Sequence, residues 1–441
     1  MKSRTRIEAA RRRVTCTVLT ALAALAVLAT PSASSAVVAQ ESALPAVFRT
    51  ALPLVVINAP RRIVDERKVS ARMKVIAHRG GRLNSASDRG TDFDGPIGIE
   101  LRGRSSQGFP KKPYSIETRK TSGKNDNVVL LGLPKDEDWI LYPSYNDKTL
   151  MRSVLAYRAA RKLGRYASRT RFVEVVLNGR YHGVYVLMEK PKILKSRVAV
   201  RDTDVTGGYL IEATTREKVN DAHFNTPVTG KPIEFSDPGR GKLSAERATY
   251  IEDYVGRFER ALYSPEFRDP ARGWRAYLDA GSAVDFVLLN ELFKNQDGFL
   301  ASTFLHKDVG GKLKLGPVWD FDIAMGNSSY GKSRFLAGWM LDAYPWSSRL
   351  YQDPGFVDQL IRRWRAVRGP LVADLQRGIV ANAKTLQAAQ ARNFARWPIL
   401  GRYVFPNSAV RNTYAAEVAF LRSWLSRRAA WIDANIEGLR P

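Results

Sequence analysis

The spacing of apolar residues changes about halfway along the chain, and this change limits the fold more than any other feature of the sequence. From Leu52 to about Val200 short apolar runs alternate with Gly, Asn, Asp and Ser, which predicts antiparallel strands. Beyond Val200, longer segments carry apolar residues three and four positions apart, which predicts helices. We therefore expect an α+β fold with a β-rich N-terminal half and a mostly helical C-terminal half.

Individual elements can be placed on the sequence. Asn178-Gly179 between two apolar runs is typical of a hairpin turn. The predicted strands are 53–57, 69–76, 97–102, 114–118, 171–177 and 183–188, with few strands after Val200 apart from 208–212 and a hairpin around Gly310-Gly311. The predicted helices are one that ends at Gly164 with Asn146 or Asp147 as its N-cap, then 283–293, 354–367 and 413–435.

Residues 1–39 have the pattern of a secretory signal peptide. A basic region at residues 11–13 precedes an apolar stretch from Val18 to Ala29, and small residues before Gln40 fit a cleavage site. The alternative is a membrane anchor, but the apolar stretch is short for the ~20 residues that span a bilayer. We therefore expect a secreted or cell-surface protein, with residues 40–49 as a linker.

Cysteine content and charge exclude several classes of protein. The only cysteine, Cys16, would leave with the signal peptide, so a disulfide scaffold and a Cys-based metal site are excluded. The formal net charge is +27, and it becomes +22 without the six basic and one acidic residues of the signal peptide. This charge is spread along the chain without a nucleic-acid-binding motif. We therefore expect no specific nucleic-acid partner, whereas an anionic cell-wall polymer or an acidic protein remains open. No later segment is apolar enough to predict a transmembrane span.

The stretch from Asn290 to Asn327 contains most of the residues that are candidates for a catalytic or metal-binding role. An apolar helix leads to Asp297, a hairpin follows, and Trp319-Asp320-Phe321-Asp322 comes after it. If residues 319–323 are extended, Asp320 and Asp322 point to one face, where a cation relieves their repulsion. Carboxylate oxygens suit Mg²⁺. The alternative is a pair of exposed carboxylates with a structural role.

A second cluster runs from Arg102 to Tyr114. Backbone N–H groups and hydroxyls of such a Gly- and Ser-containing turn can surround phosphate oxygens, and a lysine can meet a phosphate as a point charge. The candidates are Arg102, Ser105, Ser106, Lys111 and Lys112. Turns of this composition are also common without a ligand, so this cluster alone does not decide the function.

These features follow the order of parts in protein kinases. An early lysine precedes a strand that ends in Met188-Glu189, and Asp297, a hairpin and Asp320 come later. The usual strings His-Arg-Asp, Asp-Phe-Gly and Ala-Pro-Glu are absent from the sequence. The order therefore predicts an atypical kinase.

The sequence resembles the CotH family of spore-coat-type kinases over roughly residues 50–435. The matching stretches are 100–106, 109–114, 138–141, 147–152, 178–185 with Glu189, 207–212, 295–297 and 316–322. The resemblance implies a two-lobed atypical protein-kinase-like fold, with a β-rich N-lobe at 50–195 and a mostly helical C-lobe at 196–441.

The resemblance also implies roles for individual residues. Asp297 would be the catalytic residue and Asp320, with Asp322 beside it, would bind metal. Nucleotide would be bound by Arg102, Ser105, Ser106, Glu189 and one of Lys111 and Lys112. Five residues after the catalytic Asp, many relatives place a metal-binding Asn, but this chain has Ser302, whose hydroxyl is a weaker metal ligand.

The sequence thus predicts a secreted enzyme that transfers the γ-phosphoryl group of ATP to Ser or Thr hydroxyls of a secreted or surface protein, with Mg²⁺ or Mn²⁺ as cofactor. One alternative is a non-catalytic surface, coat or cell-wall binding protein on the same fold, which Ser302 permits. Another is a hydrolase or nuclease that uses Asp320 and Asp322. Carboxylates two residues apart on one strand are too close and too parallel for the opposed pair of glycosidases.

Overall fold

Seven strands of the N-terminal half close into a barrel. The structure is a computed structural model, and it describes residues 48–217, 219, 222–340, 342 and 344–440. The described strands are β1 (Arg49–Thr50), β2 (Leu54–Asn58), β3 (Val69–Ile76), β4 (Asn84–Ser85), β5 (Phe93–Leu101), β6 (Tyr114–Thr118), β7 (Val128–Leu130), β8 (Leu133–Asp136), β9 (Asp138–Tyr142), β10 (Thr170–Leu177), β11 (Arg180–Glu189), β12 (Tyr209–Ala213), β13 (His223–Asn225), β14 (Pro232–Asp237), β15 (Thr303–Lys307) and β16 (Leu313–Leu315). The barrel order is β10-β11-β9-β6-β5-β3-β2, and parallel pairing of β10 with β2 closes it.

The barrel confirms the strands expected from the alternating pattern. Its interior is lined by apolar side chains from all seven strands, including Trp139, which is fully buried. The hairpin between β10 and β11 turns at Asn178 and Gly179, whose φ angles are 50° and 74°. Both residues of this turn need positive φ, and Asn and Gly tolerate it best.

A second sheet lies in the C-terminal half, where we expected few strands. Its order is β13-β14-β12-β15-β16, and it includes the predicted 208–212 strand and the hairpin at Gly310-Gly311. β13 and β16 have three residues each, which is too short for an alternating pattern to be visible in the sequence.

Four of the helices in the described chain lie where we expected helices, whereas the second and the fourth were not predicted. The helices are α1 (Arg152–Lys162), α2 (Ala245–Tyr263), α3 (Ala280–Phe293), α4 (Pro345–Tyr351), α5 (Pro354–Arg396) and α6 (Tyr414–Asn435). The prediction that the fifth helix ends near residue 367 is wrong. Gly369 and Pro370 lie on an exposed face of α5, where water can bond the backbone carbonyl that Pro370 leaves free.

One apolar core joins the helices to the outer face of the barrel and to the second sheet. It contains residues of α1, of the end of β11, of β12 and of all the longer helices. The fold is therefore mixed α+β. Among the described residues, no helix is both long enough and apolar enough to cross a membrane.

The expected signal peptide at residues 1–39 and most of the expected linker at 40–49 lie outside the described residues. Of that linker, Phe48 is buried and Arg49 begins β1. Both residues are therefore part of the folded chain.

Candidate active site

The carboxyl groups of Asp320 and Asp322 lie next to each other in the site. The two side chains are hydrogen-bonded to each other, and burial together with Asp320 raises the pKa of Asp322 to about 8. The condition that residues 319–323 are extended is not met, because no strand forms there and Asp320 has φ of 60°. The two carboxyl groups therefore meet through a turn.

The loop before α1 lies against this pair. The side chain of Asn146 donates a hydrogen bond to Asp322 and lowers its pKa against the larger effect of burial. The nearby Asp147 accepts the backbone N–H of Arg152 at 2.8 Å and forms an ion pair with its guanidinium, and both side chains are almost fully buried. The prediction that Asn146 or Asp147 is the N-cap of this helix is wrong, because the N-cap residue is Met151, although Asp147 accepts the backbone N–H of the first helical residue. This ion pair fixes the start of α1 next to Asp322.

Asp297 lies on the turn between α3 and β15. The backbone carbonyl of Asp297 accepts the N–H groups of Leu300 and Ala301 at 3.1 and 3.0 Å, which closes the turn. Gly298 cannot be replaced easily, because a Cβ there would come within 2.7 Å of the Asn290 Oδ1 atom. These hydrogen bonds and the close packing at Gly298 therefore fix the position of Asp297 in the turn.

Tyr330 shows that the three aspartates share one site. Burial is the largest cause that raises the pKa of its phenol to about 12, and Asp297, Asp322 and Asp320 contribute in that order. A phenol whose pKa is raised by all three carboxylates lies close to each of them. The structure thus brings together residues that are 23 to 25 positions apart in the sequence.

Arg102 is the cation that faces this carboxylate cluster. It follows β5 directly, and burial lowers its pKa while Asp320 and Glu212 raise it. Its guanidinium lies 5.6 Å from the ring centre of Trp319, and Trp319 stacks on Tyr157. Arg102 is therefore placed to balance charge next to Asp320.

The turn after Arg102 contains Ser105 and Ser106 and is attached to the second sheet. Arg104 forms an ion pair with Glu234 at 2.5 Å and donates to the Thr214 hydroxyl at 3.3 Å. Ser105 is exposed, and Ser106 lies so close to Gly103 that a Cβ on that glycine would be 2.3 Å from its Oγ. The turn is thus held at both ends, by β5 and by the second sheet.

Lys111 and Lys112, the two candidates for the phosphate-binding lysine, have different surroundings. The buried Lys111 ammonium donates to the Pro143 and Val184 carbonyls and to Asn393 Oδ1. Burial lowers its pKa far below the ordinary value. Lys112 is half-buried and donates to the Gln107 carbonyl at 2.6 Å. Lys111 therefore joins the barrel to α5, whereas Lys112 holds the serine-containing turn.

Glu189 and Ser302, the other two predicted site residues, lie at strand ends. Glu189 ends β11, is fully buried, and accepts the Arg169 N–H at 2.8 Å and its guanidinium at 2.7 Å. Ser302 comes directly before β15 with φ of 51°. The nucleotide and metal roles of these two residues remain predictions.

The carboxylate cluster fits a divalent cation. Burial and the negative charge of Asp320 raise the pKa of Asp322 to about 8, and a cation bound by the oxygens of both groups would relieve their repulsion. A second acidic group, Asp136, Glu137 and Asp138, has carboxylate oxygens close together, but the Lys192 ammonium lies within 3.4 Å of all three. The cluster at Asp320 is therefore the better place for Mg²⁺ or Mn²⁺.

Sequence reasoning missed several side chains of the site. Tyr142 and Tyr157 lie near Asp320 and Asp322. Burial is the largest cause of the raised pKa values of these two phenols, and the two carboxylates raise them as well. Tyr330 and Asn146 complete the set. The available signal for Asn146 was its position beside Asp147 in one of the matching stretches, whereas nothing in the sequence marks the three tyrosines.

A comparison with protein families agrees with this geometry. Residues 99–432 match a family described as "CotH kinase protein", and the match includes every predicted site residue. A search of curated proteins found no match. The description supports a kinase-like fold and phosphotransferase chemistry at the level of the family. Because the match covers more than half of the chain, the protein belongs to the CotH kinase family.

Proposed function

We propose that the protein is a kinase that transfers the γ-phosphoryl group of ATP to a hydroxyl group of a protein substrate. The observation that carries this proposal is the cluster of Asp297, Asp320 and Asp322 around Tyr330, with Arg102 facing Asp320. Phosphoryl transfer depends mainly on positioning and on balancing negative charge, and this cluster can do both.

In the proposed reaction, Asp297 accepts the proton of the substrate hydroxyl. The hydroxyl oxygen forms a bond to the γ-phosphorus as the bond to the bridging oxygen breaks, and the electron pair leaves with ADP. Arg102 offsets phosphate charge. Asp320 and Asp322 would hold Mg²⁺ or Mn²⁺, and the metal would neutralise charge on the phosphates.

The proposal includes the finer architecture and the location of the protein. The barrel with the serine-containing turn would form one lobe above the nucleotide, and the second sheet with α2 to α6 would form the other. The signal-peptide pattern at residues 1–39 supports secretion, and the net charge of +22 after its removal supports an acidic protein or an anionic wall polymer as partner.

The test is transfer of labelled phosphate from ATP, with Mg²⁺ or Mn²⁺, to a Ser-rich protein or to the protein itself. We expect Asp320→Asn to lower the rate by at least about a hundredfold, because the metal loses a charged ligand. The matched control is Asp358→Asn, which removes an exposed carboxylate paired with Arg440. Equal rates for Asp320→Asn and the wild type would contradict the assignment.

A second candidate is a non-catalytic binding protein on the same fold. The observation in its favour is Ser302 at the position where many relatives place a metal-binding Asn. Calorimetry distinguishes the two candidates, because a non-catalytic protein of this type would show no heat of ATP binding in the presence of Mn²⁺. Replacing Ser302 with Asn would then raise metal affinity without producing transfer.

A further inference from the structure

A cavity of about 200 Å³ lies between α3, β16, the turn after α1 and residues 197–199. Its wall includes Ser282 in the first turn of α3 and His306 on β15. None of the aspartates at 297, 320 and 322 lines it, and neither does Arg102. The cavity is therefore separate from the carboxylate cluster.

The wall of this cavity is positively charged. Arg165, Arg197 and Lys314 line it, and no carboxylate occurs among the described residues that form the wall. Ser282 and His306 add polar groups to the same wall, so the cavity is not an apolar packing defect. Three cationic side chains around one cavity repel each other unless an anion or water compensates their charge.

Two of the three cations, Lys314 and Arg165, lie near His306. His306 and Lys314 are directly opposite each other on β15 and β16, so their side chains share one face. His306 Nδ1 lies 2.9 Å from the Gly316 carbonyl, which fixes the ring. The pKa of His306 is lowered to about 4, mainly by burial and also by Lys314 and Arg165, against the Gly316 carbonyl and Asp279, which raise it. The imidazole therefore lies within reach of both cationic groups.

The carboxylates around the cavity do not fully balance these cations. Arg165 shares the single carboxylate of Asp285 with Arg363, each at 2.7 Å. Arg197 has a fully buried side chain that pairs with Asp136 at 3.5 Å, and its Nε has no hydrogen-bond partner among the described residues. An anion in the cavity would supply negative charge that these carboxylates do not provide.

We propose that this cavity binds an inorganic oxyanion of the size of phosphate. The volume holds such an anion with a few waters, and guanidinium and ammonium groups are the donors that oxyanions prefer. Because Gly316, Pro317 and Val318 form one wall and lead directly to Trp319 and Asp320, an anion here would brace the segment that carries the predicted metal-binding residue.

The test is a titration of the full chain with inorganic phosphate, followed through the imidazole NMR signals. The chain has four histidines, and His306→Gln assigns the signal of interest. We expect a saturable shift of the His306 signal, and we expect Asp320→Asn, which alters only the carboxylate cluster, to keep it. Sulfate should compete with phosphate, since both are tetrahedral oxyanions.

Variants of Lys314 make the test specific to this cavity. Lys314→Met should weaken phosphate binding by at least about tenfold, as expected for the loss of one charge-assisted hydrogen bond, whereas Lys314→Arg should retain binding. The matched control is Lys312→Met, because Lys312 is exposed and bonds the Arg275 carbonyl outside the cavity. Circular dichroism confirms folding of each variant. A His306 signal that does not respond, or equal affinity in Lys314→Met, would overturn the proposal.

Discussion

Asp322 holds a proton at neutral pH in the metal-free protein, because burial and the adjacent Asp320 raise its pKa from 3.8 to about 8. In the unfolded chain it titrates near the ordinary value of about 3.9. The folded state therefore binds more protons between about pH 4 and about pH 8, and the free energy of unfolding falls as pH rises through this window, by at most about 1.4 kcal/mol per pH unit. Urea unfolding in EDTA should show this loss for the wild type and a smaller one for Asp322→Asn. Identical pH dependence of the two proteins would contradict the raised pKa.

Arg102 and Lys111 can be separated by experiment, because one faces the carboxylate cluster and the other lies in the core. Lys111→Met leaves buried acceptors without a donor and should cost about 1–3 kcal/mol of stability while the KM for ATP is unchanged. Arg102→Met should lower kcat/KM about 10- to 100-fold with a smaller loss of stability than Lys111→Met, since Arg102 and its partner Asp320 are only half-buried. Steady-state kinetics and urea unfolding measure both. A raised KM for Lys111→Met at unchanged stability would restore Lys111 as the nucleotide-binding lysine.

Among the elements, those defined by local signals were predictable and those defined by tertiary contacts were not. The β10–β11 hairpin follows from two alternating runs and an Asn-Gly turn, and α3 and α6 follow from their apolar stripes. The left-handed conformation of Asp320 has no signal in the sequence, because a non-glycine residue adopts it only where surrounding contacts require it. The direction of Lys111 was equally hidden, since it lies before β6 begins and strand alternation does not apply to it.

Helix α5 offers a test of how tertiary packing overrides local propensity. It continues for 43 residues through Gly369 and Pro370, both exposed, because its buried face packs on α3, α6 and β11. Proline in a helix interior costs up to about 3 kcal/mol and glycine about 1 kcal/mol relative to alanine. Pro370→Ala should therefore raise the free energy of urea unfolding by about 1–3 kcal/mol, and Gly369→Ala by less. A destabilised Pro370→Ala protein would show that the proline is required for the path of the helix.

At the scale of the whole molecule, the candidate site depends on segments that are distant in sequence. Arg102 comes from the end of a barrel strand, Asn146 from the loop before α1, Asp297 from the end of α3 and Asp320 from the segment after β16. The family resemblance implied site roles for Arg102, Asp297, Asp320 and Asp322, but only the folded chain shows Asn146 and Tyr330 beside them. The sequence could not show this, because the barrel and the helices that bring these residues together are joined by long-range packing.

This arrangement predicts that ligand binding stabilises the entire chain. ATP with Mn²⁺ would contact the barrel through Arg102 and the helical part through Asp320. Both parts should therefore unfold at a higher temperature when ATP and Mn²⁺ are bound. At a hundred times its Kd, such a ligand adds about 2.7 kcal/mol to the free energy of unfolding. Scanning calorimetry should show a higher Tm with ATP and Mn²⁺ together and a much smaller shift with either alone. Asp320→Asn should lose the shift and the exposed-site control Asp358→Asn should keep it, whereas a full shift in Asp320→Asn would place the nucleotide and its metal elsewhere on the molecule.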